Sequence, residues 1–293
     1  MKKLKTHCSL SEQRTLLEQR GLTISDPRAT EETLFNINYY RLSGYLFDFR
    51  DNSSNKYQND LTWDRLMQIY DFDRRLTRIL LFALEDIEET LKTRISYIIT
   101  SSYPSDPIIY LKPNVYRSYS PYLQFLSIFY AAKEKSHGLP FVEHHNKEYG
   151  GFMPMWVAVE LLTMGNLAKL FDNLLPKYQK QISKSYNTGP RQFSSWIENL
   201  TYTRNHLAHY MRIYNFNFGR TPATCKRHLR TFQSTNMIFD QVFVMACMYS
   251  NRGEWNNYIL QEIQSLFEEY SDSICLSSLG FPENWYNILH LDD

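Results

Sequence analysis

Leu66, Ile69, Leu76, Leu80, Ala83, Ile87, Leu91, Ile95 and Ile98 recur at intervals of three, four or seven, with charged residues between them. Such spacing closes one apolar face on a 3.6-residue helix, so residues 62–101 are predicted to form a single helix. At 1.5 Å per residue it is ~60 Å long, enough to span the molecule. Shorter segments carry their own boundary signals. Ser9-x-x-Glu12 is a capping box and Gly21 stands where a C-terminal cap belongs, predicting a helix over 10–20. Asp26-Pro27 opens a second helix, and 37–49 form a third, stopped by the turn-rich Asp51-Asn52-Ser53-Ser54-Asn55. Beyond Pro104 and Pro107, helices are expected near 121–135 and 139–148, then over 155–171 after Gly150-Gly151 and Pro154, and from Pro176 to about 186. Asn187-Thr188-Gly189-Pro190 is a clear break. After it, Phe193, Trp196, Ile197, Leu200, Leu207 and Met211 trace one helical face, and two more helices are expected at 223–250 and 254–270. No segment reads convincingly as a sheet. The expected fold class is all-α: residues 1–60 form a helical extension packed on a bundle that occupies 61–293 and ends in an acidic helical tail.

Composition narrows the class. Of 293 residues 43% are hydrophobic, and only 10 are Gly and 11 Pro, which excludes collagen-like and extensively disordered chains. No apolar run approaches 18 residues, so no membrane span is expected. The basic start, Met1 to Cys8, is not followed by an apolar signal segment, and a cytoplasmic location is expected. Cys8, Cys225, Cys247 and Cys275 lie far apart without a C-x-x-C pair, which points to reduced thiols. The formal net charge of +1 conceals a sharp local contrast. Between Asn199 and Phe239 stand six Lys or Arg and no acid, whereas Gly253 to Asp293 carry eight acids and no Lys or Arg. Such a basic block suits phosphate, and equally suits pairing with the acidic tail.

The chemistry-bearing stretch is Asn199-Leu200-Thr201-Tyr202-Thr203-Arg204-Asn205-His206-Leu207-Ala208-His209-Tyr210-Met211-Arg212. On a helix Asn205 stacks under His209, Arg212 extends the same polar stripe, and Arg204 sits ~140° round from His209. These side chains suit phosphodiester cleavage in RNA, which brings its own 2′-hydroxyl nucleophile. Histidine serves as general base or acid near neutrality, and arginine stabilises the phosphoryl group through two donors. One helix supplies one such pair; two copies meeting across a twofold axis supply two. Spacing alone is weak evidence, and the competing reading has Arg204 and the histidines satisfying Glu85, Asp86, Glu88 or Glu89 of the long helix.

Arg204-Asn205-His206-Leu207-Ala208-His209 resembles the Arg-polar-x-x-x-His motif of HEPN-superfamily ribonucleases. Three upstream blocks resemble the abortive-infection (Abi) proteins of the D/F type: Asn38-Tyr39-Tyr40-Arg41-Leu42-Ser43-Gly44-Tyr45, Tyr70-Asp71-Phe72-Asp73-Arg74-Arg75-Leu76, and Glu85-Asp86-Ile87-Glu88-Glu89-Thr90-Leu91-Lys92-Thr93-Arg94. Together they cover roughly residues 30–220. The resemblance implies a HEPN-like helical bundle, a homodimer joining two motifs, metal-independent RNA cleavage, and a role in anti-phage defence or as a toxin held by an RNA or protein antitoxin. It implies catalytic roles for Arg204 and His209, with Asn205 the polar residue after the arginine. His206 offers a second imidazole, ranked after His209 because His209 fits the motif spacing and stacks on Asn205, and Arg212 is a supporting polar group by its place on the stripe. A non-catalytic HEPN module that binds RNA, a nucleotide or a partner protein is the alternative.

Tyr210, Tyr214, Arg220, Lys226 and Arg227 are the candidate RNA contacts, because they flank or follow the motif with aromatic or basic side chains. Asp71, Asp73, Arg74, Arg75 and Arg78 read as a charged face satisfied by local pairs, with phosphate contact the lesser alternative. His144-His145 with Glu143 and His137 lack metal-binding spacing, so no metal site is expected. No Gly-rich phosphate loop or dinucleotide fingerprint occurs, and no cofactor is expected.

Overall fold

The computed structural model describes residues 4, 6–51, 53–54, 56–57, 60–224 and 233–291. The fold is all-α, and the described residues form no named strand, only three isolated bridges. Its helices are α1 (Leu10–Gln19), α2 (Pro27–Asn36), α3 (Tyr39–Leu46), α4 (Trp63–Ser101), α5 (Tyr119–Lys135), α6 (Pro140–Glu148), α7 (Met155–Ala158), α8 (Met164–Asn173), α9 (Pro176–Lys184), α10 (Pro190–Ala208), α11 (Ile238–Met248), α12 (Leu260–Glu269) and α13 (Trp285–Leu289).

The predicted long helix is α4. Thr62 caps it by accepting from the Arg65 N–H, no Gly or Pro interrupts its 39 residues, and its apolar stripe is buried from Leu66 to Ile95, after which Ile99 is buried and the expected Ile98 only partly so. Around this beam lie α3, α7, α8, α9, α10, α11 and α12. The side chains of α1 to α3 that turn inward (Leu17, Leu34, Leu42, Leu46) join the same hydrophobic core as α4. The Ser9/Glu12 capping box forms, and Gly21 takes the left-handed conformation that closes α1. Among the described residues no helix is long and apolar enough to cross a membrane.

Three predicted elements differ. The apolar run 155–171 is not one helix: α7 and a 3-10 turn end at Leu161, Leu162 is extended, and Thr163 restarts the chain as α8. The Thr163 hydroxyl accepts from the Asn166 N–H while Asn166 Oδ1 accepts from the Thr163 N–H, a reciprocal cap that stops one helix and opens another. In the expected 223–250 helix, Thr224 and residues 233–235 are not helical, 225–232 lie outside the described residues, and α11 begins only at Ile238. The 254–270 helix contains a π-helical turn over Trp255–Ile259 before α12.

Two contacts set α10 antiparallel to α4. Near the start of α10, Arg94 of α4 donates to the Ser185 carbonyl (2.7 Å) and lies 4.3 Å from the centre of the Tyr186 ring. Near the other end, Asp73 of α4 receives the backbone of Ile213 and Tyr214. α8 crosses α10 closely: a Cβ on Gly165 would come within 3.2 Å of Thr201 Cγ2, so a side chain there would push α8 away from the turn preceding the motif.

Candidate functional site

α10 ends earlier than its apolar pattern predicts. Ala208 is the last helical residue, His209 is the C-cap, and Tyr210 enters the left-handed region with φ of 56°. Tyr210 N–H donates to the Leu207 carbonyl (2.9 Å) and Met211 N–H to the His206 carbonyl (3.1 Å). This is the same reversal that ends α1, where Gly21 N–H bonds Glu18 and Leu22 N–H bonds Leu17. At α1 the left-handed position is glycine; at α10 it is a tyrosine with its side chain 64% exposed. A left-handed non-glycine residue costs about 1 kcal/mol or more, and a ring this exposed offsets little of it. Tyr210→Gly is therefore expected to raise the urea-unfolding free energy by about 1 kcal/mol; a fall would mean that the exposed ring supports the fold.

The reversal separates the two histidines. His206 is 8% exposed, its Nε2 lies 2.8 Å from the Arg212 carbonyl, and its ring sits 4.4 Å from Phe216 and 5.2 Å from Phe218. A carbonyl can only accept, so Nε2 carries the proton. Burial lowers the pKa of His206, and the hydrogen bond to Arg212 opposes that in part. His209 stands exposed at the helix end. It shares the outer face of α10 with Glu198, Tyr202 and Asn205, which are also exposed. Arg204, on the adjoining edge, is half-buried and lines a cleft against α4 with Leu81, Leu84, Glu85, Glu88, Ala208 and Tyr210.

Arg212 does not extend the polar stripe, because the helix has already ended. It lies on the returning chain, where its Nη1 meets Asp48 Oδ2 at 2.7 Å and its guanidinium faces the Tyr45 ring at 5.9 Å. Tyr214 is not a surface contact either. It is 4% exposed, set edge-on to Phe72, and its hydroxyl accepts from the Cys275 N–H. Arg220 is exposed, with its guanidinium 5.2 Å from the Tyr202 ring. Lys226 and Arg227 lie outside the described residues.

A clamp that the spacing does not announce holds this turn. Asp73 is 2% exposed, so it does not belong to the charged face expected of residues 71–78. Its carboxylate accepts from the Tyr45 hydroxyl (2.7 Å), the Ile213 N–H (3.1 Å) and the Tyr214 N–H (2.6 Å). Burial pushes its pKa up to about 6, against the pull of those three donors and of Arg212. Arg41 of α3 donates to the carbonyl of Tyr210 itself. The neighbours of Asp73 in the charged run also have separate tasks: Arg75 pairs with Glu269 and lies over the Tyr270 ring, and Asp71 accepts from the Tyr270 hydroxyl.

His145 Nδ1 is engaged by the Phe141 carbonyl at 2.7 Å, and among the described residues no three His, Cys, Asp or Glu come together as metal ligands.

The molecule is thus an all-α protein in which a long central helix, through a buried aspartate, fixes the end of a second helix carrying an arginine and an exposed histidine. Residues 32–215 match the family model described as Abi-like protein, from within α2 to just past the clamp. The chain belongs to the Abi-like protein family. No curated protein and no solved structure matches it.

Proposed function

We propose that this Abi-like protein is a metal-independent endoribonuclease of the HEPN type, acting as an abortive-infection effector through Arg204 and His209 of two copies. The observation that carries this reading is the division of labour at the end of α10: His206 is committed to the fold, while Arg204 opens to a cleft and His209 to the surface. In the reaction the 2′-oxygen attacks phosphorus and its proton passes to a base. The bond to the 5′-oxygen breaks and that oxygen takes a proton from an acid, leaving a 2′,3′-cyclic phosphate and a 5′-hydroxyl. An imidazole fills either proton-transfer role near neutral pH, and Arg204 offsets charge on the phosphoryl oxygens. Two imidazoles are better than one here, because base and acid act on opposite sides of phosphorus. The exposed Tyr202, Asn205 and His209 face of α10 is available to a second copy related by a twofold axis.

Incubation with single-stranded RNA in EDTA is the test. Cleavage is expected to persist, to leave 2′,3′-cyclic phosphate ends, and to rise in specific activity as the protein dimerises. Cleavage abolished by EDTA, or ends bearing a 5′-phosphate, would overturn the mechanism. A second reading draws on Glu85 and Glu88, which line the cleft with Arg204 and suit a non-catalytic module in which that arginine only steadies α10 on α4. Intact RNA after every activating condition would favour it.

A further inference from the structure

Beside the Arg204 cleft lies a second hollow, lined by Arg41 of α3, Arg74, Arg78 and Leu81 of α4, and Tyr210 and Met211 of the turn. The two hollows share Leu81 and Tyr210, so they form one surface with the Tyr210 side chain between them. Elsewhere the fold pairs several of its arginines with carboxylates. Arg14 pairs with Glu18 and Glu31, Arg75 with Glu269, and Arg212 with Asp48. Around the second hollow it does not. Arg41, Arg74 and Arg78 are exposed, and none forms an ion pair with a described carboxylate. Arg41 gives a donor to the Tyr210 carbonyl and Arg74 to the Tyr70 hydroxyl (3.3 Å). Asp73, the carboxylate that lines the hollow, is occupied by Tyr45, Ile213 and Tyr214. Arg74 and Arg78, four residues apart on one helix, face the same way and repel. Asp71 acts electrostatically on Arg74, but three guanidinium groups outweigh one carboxylate, so the group stabilises an anion brought from outside.

We propose that Arg41, Arg74 and Arg78 bind consecutive phosphates of a single-stranded RNA and deliver it past Tyr210 to Arg204 and His209. This inference rests on RNA being the substrate, and names the groove that holds it. Guanidinium groups match phosphate through two parallel donors, and an exposed ring beside them offers a stacking surface for a base. Glu85 and Glu88 line the Arg204 cleft itself, so the run of phosphates lies on the Arg74 and Arg78 side of Tyr210.

The test measures anisotropy of a fluorescein-labelled 2′-O-methyl oligouridine 12-mer, which lacks the 2′-hydroxyl nucleophile and so binds without being cut. Arg74→Gln/Arg78→Gln is expected to weaken binding about 10-fold near 0.1 M salt, and to flatten the slope of log Kd on log salt by about 1.4, at ~0.7 for each phosphate no longer neutralised. Adding Arg41→Gln should take the loss to about 30-fold and the slope change to about 2. The double variant spares the hydrogen bond from Arg41 to Tyr210 and gives up only the contact of Arg74 with Tyr70, so its melting temperature should stay close to that of the wild type. Lys184→Gln/Arg191→Gln, which removes the same charge near the opposite end of α10, should alter affinity less than twofold. Equal losses in both double variants would reduce the effect to net charge and overturn the groove, as would an unchanged slope or no binding by the wild type. An enzyme that cleaves RNA normally with all three arginines replaced sinks the groove and leaves the activity standing. Binding through these arginines by a protein that never cleaves sinks the activity and leaves the groove.

Discussion

Arg204→Ala and His209→Ala are each expected to slow RNA cleavage by about 100- to 10,000-fold, the range for losing a phosphoryl-stabilising cation or a general acid–base group. That corresponds to about 3–5 kcal/mol of transition-state stabilisation. Stability should separate His209 from its neighbour. His209 is exposed at the helix cap, so His209→Ala should unfold at the same urea concentration as the wild type. His206→Ala empties a site between Phe216 and Phe218 and leaves the Arg212 carbonyl without its donor, a loss of about 2–3 kcal/mol. Initial rates on labelled RNA, taken together with a denaturation curve for each variant, test both assignments. A His209→Ala enzyme with full activity would remove the imidazole from the mechanism, whatever Arg204 does.

Asp73→Ala should destabilise the protein by about 3–5 kcal/mol, because it strands two backbone N–H groups and the Tyr45 hydroxyl in the interior. Activity should fall with it, since the turn carrying His209 and Tyr210 is fixed through Ile213 and Tyr214. Asp73→Asn keeps an acceptor and should cost less. The carboxyl also carries a pH signature. It has a folded pKa of about 6 against an ordinary 3.8, so the folded state holds its proton more tightly. Its contribution is fully present below pH 3.8 and is lost as pH rises through 6, a change on the order of 2–3 kcal/mol. Denaturation of wild type and Asp73→Asn at pH 4, 5, 6 and 7 should show the wild type losing ground to the variant across that window. Parallel profiles would show that the buried carboxyl titrates at its ordinary value.

Much of the bundle is legible in the chain because its signals are local. The absence of Gly and Pro from α4, the Ser9/Glu12 box and the Gly189-Pro190 start of α10 each act within a few residues. The end of α10 is not legible for the same reason. Ala208-His209-Tyr210 contains neither Gly nor Pro, so nothing in the spacing announces a stop, and Arg212 is carried onto a stripe that has already ended. The cap before α8 escapes because Thr163-x-x-Asn166 uses asparagine where a capping box usually has Glu or Gln. Asp73 is more instructive. It sits four residues after Ile69 and three before Leu76, within the buried stripe, yet its charge suggests the surface. What makes its burial tolerable is a pair of amides 140 and 141 residues away, and no local pattern carries that distance. His206 shares the logic: seven positions after Asn199 and three after Thr203, both buried, it falls on the inward face, and only its partner beyond the turn explains how a polar ring can lie there.

The clamp also has a consequence for the order in which the molecule is made. α3 and α4 leave the ribosome long before the residues they must grip, since Arg41 waits for Tyr210 and Asp73 for Ile213 and Tyr214. A nascent chain that ends before Ile213 carries Arg204 and His209 on a helix that packs on α4 and α8 but lacks the two amides that close the clamp. The seat of His209 is thus completed only after the whole of α10 and the turn behind it have been made.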